Sequence, residues 1–144
     1  MEKKILIIHG PNLNLLGERE PGIYGNDTMD AINDEISKEA QNLGLSCDFF
    51  QSNHEGKIID KIHNARKTHS GIIINPGAYT HYSYAIRDAV AAITIPCIEV
   101  HLSNVYSRDE FRSKSVIAPV CKGQIAGFGK QSYILALKGI AEMV

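Results

Sequence analysis

Two residues near the middle of the chain, Glu99 and His101, share one face of an apolar run, Pro96-Cys97-Ile98-Glu99-Val100-His101. Side chains two apart on a strand point the same way, so a histidine that gives or takes a proton would have a carboxylate beside it to orient its ring. A structural histidine, hydrogen-bonded at a strand edge, fits the same pattern. Tyr24 and Arg19 share a loop near the N-terminus, where a tyrosine close to cations could lose its proton near neutrality. Alone, that tyrosine also fits simple loop packing. Arg108 and Arg112 follow the capping-box spacing Ser107-Arg108-Asp109-Glu110, which predicts a short helix carrying both guanidiniums on one side. They suit carboxylate or hydroxyl recognition, or a solvated helix face.

Other chemistries find less support. His81, Glu99 and His101 suggest a metal site, but no further spaced ligand completes the set. Schiff-base chemistry needs a desolvated lysine, and none lies in the strand-end clusters. No Gly-x-Gly-x-x-Gly follows a strand and no Gly-x-x-x-x-Gly-Lys-Ser/Thr is present, so neither usual nucleotide cradle is expected. A phosphorylatable receiver would need acidic strand ends, where the first and third strands end in His and Asn. What remains is acid–base chemistry without metal or cofactor.

These residues need a scaffold. Ile5–His9, Gly71–Asn75 and Pro96–His101 read as buried parallel strands, with weaker strands over 46–51 and 123–127. Between them lie helical stripes. Met29, Ile32, Ile36, Ala40 and Leu43 form one, capped at Asp27 or Thr28 and ended at Gly44. Ile58, Ile59, Ile62 and Ala65 form a second; 82–93, with Thr80 as cap, a third; Tyr133 to Val144 the last. The alternation predicts a doubly wound α/β sandwich on a parallel sheet of about five strands, with ligands beyond the carboxyl ends of the strands. His9-Gly10-Pro11-Asn12, Asn75-Pro76-Gly77-Ala78-Tyr79-Thr80-His81 and Glu99-Val100-His101-Leu102-Ser103-Asn104 should therefore converge. The stretch from His9 to Gly25, marked by Gly and Pro, exceeds an ordinary connector of roughly two to six residues and reads as a lid or binding loop, with Asn12 at its fixed end on the sheet.

Composition sets the outer bounds. At 144 residues, with 44% hydrophobic and 22% charged residues, the chain is expected to be one domain over 1–144 with a sizeable core. A net charge of −1 without charge blocks implies neither nucleic acid nor a membrane surface as partner. The start lacks an apolar run long enough for a signal or span, so a cytoplasmic protein is expected. Cys47, Cys97 and Cys121, odd in number and widely spaced, read as small buried apolar residues.

With these motifs in this order the chain resembles the type II 3-dehydroquinate dehydratases over essentially its full length. The carriers are 10–17, 19–25, 75–81, 99–104 and the pair Arg108-x-x-x-Arg112. Leu102 stands where relatives commonly have isoleucine, at a position used through its backbone amide. The resemblance implies a flavodoxin-like three-layer sandwich with a five-stranded parallel sheet. It also implies anti elimination of water from 3-dehydroquinate through an enolate, in aromatic biosynthesis by the shikimate route or in quinate breakdown. It assigns Tyr24 as base, Arg19 and Arg108 as its charge partners, and Asn12 as holder of a water at the enolate. His101 becomes the acid, oriented by Glu99. Asn75, Leu102 and Ser103 would hold the carboxylate, and His81 and Arg112 the ring hydroxyls. Asp88 would act across a subunit boundary, in a homododecamer built from trimers. No cofactor is implied. A non-catalytic module of the same fold binding a small anion or nucleotide, and a partner-binding protein, are the competing expectations.

Overall fold

The computed structural model describes residues 2–18, 20–24 and 26–144, residue 24 by its backbone alone. Five parallel strands form one sheet: β1 Lys3–His9, β2 Leu45–Gln51, β3 Gly71–Asn75, β4 Cys97–His101 and β5 Gly123–Ala126. Their order is β2-β1-β3-β4-β5, so the winding reverses between β1 and β3. Both weakly signalled strands pair as edges, β2 beside β1 and β5 beside β4.

Period-two alternation divides the core. Ile5, Ile7, Ile73, Ile98 and Val100 point to one face, under α2 (Met29–Asn42) and α5 (Gln131–Ala141). Leu6, Ile8, Ile72, Ile74 and Cys97 point to the other, under α3 (Glu55–Thr68) and α4 (Tyr84–Ala91). Strands buried on both faces need unbroken apolar runs, which is how β1 and β3 read. Helix α2 buries Ile32, Ile36 and Ala40, one residue per turn. The Thr28 hydroxyl caps it by accepting from the Ala31 N–H at 3.2 Å, and Gly44 leaves it at φ 74°. The sandwich matches the expected fold. No helix among the described residues is long and apolar enough to cross a membrane.

Three local expectations are corrected. Helix α4 begins at Tyr84 with Ser83 as its cap, accepting from the Ile86 N–H at 3.1 Å, because a 3-10 turn over Gly77–His81 comes first. Thr80 therefore lies inside that turn and caps nothing. The helix expected at Ser107 does not form: two 3-10 turns, Val105–Ser107 and Glu110–Ser113, flank an extended Arg108 (φ −101°, ψ −160°). The Ser107 hydroxyl donates back to the Asn104 carbonyl at 2.9 Å and so closes the first turn instead of opening a helix. The stretch after β1 is also not one continuous lid. A 3-10 turn, Leu13–Leu15, with buried Leu13 and Leu16, docks its first half on the core, and the single turn α1 (Pro21–Tyr24) follows.

Candidate active site

The cleft lies where the winding reverses, above the carboxyl ends of β1, β3 and β4, with a volume of ≈ 110 Å³. Asn12 bounds it from the β1 loop, Asn75 and His81 from the β3 side. His101, Leu102 and Ser103 come from the end of β4, Arg108 from the extended link between the two 3-10 turns and Arg112 from the second turn. The guanidiniums reach one cleft although they do not share a helix.

At its floor is the dyad of β4. Glu99 is fully buried, and a buried carboxylate is costly unless every oxygen is satisfied. His101 Nε2 bonds Glu99 Oε2. The Thr80 hydroxyl donates to the same oxygen at 2.5 Å, and Gln124 Nε2 at 3.2 Å. Ser115 donates to Oε1 at 2.9 Å while its own oxygen accepts from the Ile117 and Ala118 amides. Burial pushes the Glu99 carboxyl up, but the bonds from His101, Thr80 and Ser115 outweigh it and hold the group below the ordinary carboxylate value. A fixed anion behind Nε2 fixes the ring and leaves Nδ1 as the nitrogen free for proton transfer.

Around this floor each polar group is held from behind. Asn12 sits in left-handed backbone (φ 69°), and its N–H donates to Asn53 Oδ1 at 3.0 Å. The Gly10 N–H donates to the Asn75 carbonyl at 2.7 Å and ties the β1 and β3 loops together. His81 Nδ1 donates to the Lys114 carbonyl at 2.7 Å, which leaves its Nε2 for the cleft. Burial lowers the His81 pKa against that carbonyl, with His101 and Arg112 pushing the same way as burial. Arg108 contacts the Ser103 hydroxyl at 3.5 Å and Glu20 at 3.9 Å, so the stretch just before α1 reaches the cleft wall. Arg112 pairs with Asp109 at 3.4 Å and lies 4.8 Å over the Phe111 ring.

Some expected residues are elsewhere. Asp88 is exposed on α4 and does not line the cleft. His9, at the end of β1, turns away. It shares the odd-numbered face of β1 with Ile5 and Ile7, and its ring is buried against Tyr133 and Asn33 under α2 and α5. Arg19 and the Tyr24 side chain lie outside the described residues. Among the described residues no three His, Cys, Asp or Glu side chains group to hold a metal ion.

Sequence reasoning missed the groups that hold Glu99. Thr80 carried a cap signal, Ser115 carried none, and Gln124 becomes a neighbour only once β5 pairs with β4 in the register Glu99–Gln124. Tyr133 reads as part of an apolar helical stripe, which hides its hydroxyl.

The chain matches the family model described as Dehydroquinase class II over residues 3–141. The 3-dehydroquinate dehydratase of Caldicellulosiruptor bescii is 61% identical over 143 residues, 99% of each chain. That of Trichodesmium erythraeum is 61% identical over 136 residues, 94% of this chain and 91% of that protein. The crystal structure of type II dehydroquinase from Butyrivibrio crossotus superposes with a TM-score of 0.95 at 52% identity, covering 96% of this chain and 97% of that one.

Proposed function

This chain belongs to the class II dehydroquinase family, and from that premise we propose how its cleft performs the dehydration. The enzyme is a type II 3-dehydroquinate dehydratase, a lyase acting on 3-dehydroquinate in the shikimate pathway. The observation that carries the detailed reading is the convergence of amide, imidazole and guanidinium groups on His101, itself clamped from behind by a buried, fully bonded Glu99.

The tyrosinate of Tyr24 takes the proton from C2, next to the C3 ketone, and the electron pair moves into an enolate. Arg19 and Arg108 stabilise the tyrosinate, and a water held by Asn12 meets the enolate oxygen, where fixed donors act on developing charge. Collapse of the enolate expels the C1 hydroxyl, which takes a proton from His101 and leaves as water. The product carries a C1–C2 double bond conjugated with the ketone. Asn75, Ser103 and the amides of Leu102 and Ser103 hold the carboxylate; His81 and Arg112 hold the ring hydroxyls. The contact of Arg108 with Glu20 supports a closing segment that delivers Tyr24 and Arg19 to this wall. Residues 1–144 act as one catalytic domain in the cytoplasm and need no cofactor.

We propose trimers assembled into a homododecamer, in which the exposed Asp88 of α4 meets a neighbouring subunit. Sedimentation of purified protein tests this: a species of twelve 15.9 kDa chains supports it and a monomer contradicts it.

The roles of base and acid are tested by Tyr24→Phe and His101→Ala. Each should lower kcat by about 10²–10⁴-fold, the usual range for a positioned acid or base. Substrate affinity, measured calorimetrically, should change little. Near-normal turnover by Tyr24→Phe would remove the base, and near-normal turnover by His101→Ala the acid.

A further inference from the structure

His9 and Tyr133 have no place in the mechanism above, yet both are fully buried and joined to the cleft through Asn75. The chain of hydrogen bonds runs from α2 through the sheet to the β3 loop. His9 Nε2 meets Asn33 Oδ1 at 2.7 Å, and since an amide oxygen only accepts, the proton sits on Nε2. Nδ1 then carries a lone pair, and the Tyr133 hydroxyl donates to it at 2.8 Å. With its only proton spent there, the Tyr133 oxygen can only accept, and it does so from Asn75 Nδ2 at 3.2 Å. Asn75 Oδ1 accepts from the Gly77 N–H at 3.2 Å.

We propose that Tyr133, polarised by His9, is a positioning residue that decides which end of the Asn75 amide serves as donor in the cleft. The inference rests on the reading of Asn75 as a carboxylate-binding residue. In the observed orientation the second hydrogen on Nδ2 is available to a carboxylate oxygen. The reversed amide would set Nδ2 against the Gly77 N–H, donor against donor, and turn a carbonyl dipole on an anionic substrate. A second proton on His9 would undo the arrangement, because Nδ1–H would donate to Tyr133 and force the phenol proton toward Asn75 Nδ2. Burial prevents this by lowering the His9 pKa to about 4, against the bond to Asn33. The ring therefore stays neutral and the direction of the chain is fixed. His9 lies beneath α2 and α5, and Tyr133 projects from α5 into the same buried layer, so neither is placed to touch substrate itself.

A double-mutant cycle on the assembled enzyme separates positioning from mere packing. Tyr133→Phe should raise KM about tenfold with kcat within about twofold of wild type, since the lost contact is made equally in ground and transition states. In an Asn75→Ala background the same Tyr133→Phe change should move KM by less than about twofold, because the group it positions is gone. His9→Gln, which disturbs the acceptor for the phenol proton, should reproduce this pattern and replaces Tyr133→Phe if that variant does not fold. An unchanged KM in Tyr133→Phe, or a rise of equal size in both backgrounds, overturns the inference. If Asn75→Ala alone leaves KM unchanged, the carboxylate-binding role of Asn75 fails and this inference with it. If Asn75→Ala raises KM and the other variants do not, only this inference fails.

Discussion

At the scale of single residues, two buried titratable groups act on stability in separate pH windows. His9 is held down to about 4 by burial, while in the unfolded chain it titrates near its ordinary 6.5. Between those values the unfolded state binds more protons, so stability falls as pH falls from about 6.5 to about 4 and is unaffected by His9 above that window. The difference corresponds to about 3 kcal/mol at 1.36 kcal/mol per pH unit. Glu99 acts in the same direction at lower pH: its folded value is also lowered, so its contribution is complete above the ordinary carboxylate range and is lost as pH drops through the lowered value. Denaturant titrations at pH 7 and pH 4 should show wild type losing about 3 kcal/mol more than His9→Gln. Parallel losses would contradict the assignment. The Glu99–His101 pair was legible from its spacing of two. The bonds from Thr80 and Ser115 were not, because each arrives from a segment whose position depends on the finished fold.

At the scale of elements, the site depends on how closely two loops pass. A Cβ on Gly10 would stand 2.7 Å from the Asn75 carbonyl oxygen and 2.7 Å from the Pro76 carbonyl carbon, both backbone atoms that cannot swing aside. Gly10→Ala must therefore push the β1 and β3 loops apart and with them Asn12 and Asn75. An overpacked contact of this kind costs about 1–3 kcal/mol. We expect kcat/KM to fall at least about tenfold, because misplacement of about 1 Å can cost on the order of 10²-fold. Wild-type kinetics in Gly10→Ala would show that this approach does not position the site. The strands and long helices were legible because each repeats its apolar residue with one period for a whole segment. The segment around Ser107 was not. Its capping-box residues are present, but the Ser107 hydroxyl finds a nearer acceptor in the Asn104 carbonyl, and a helix stripe to bury is missing.

At the scale of the molecule, the reversal of winding between β1 and β3 opens the crevice, and the two faces of the sheet feed it differently. Asn75 is supported from the α2 and α5 face through Tyr133, whereas His101 and Glu99 are supported from the opposite face by Thr80 and Ser115. The Asn75 and His101 sides of the cleft are thus anchored in separate layers and meet only above the strand ends. The layout followed from the βα alternation and the rule for doubly wound sheets. Which polar strand-end residues face the crevice did not, as His9 shows, because that depends on the parity of each strand. We propose that dehydration in this crevice is independent of metal. Purified protein in excess chelator, given 3-dehydroquinate, should develop the ultraviolet absorbance of a conjugated enone in proportion to enzyme concentration. No change in absorbance under those conditions, with folded protein and intact substrate, would contradict the account.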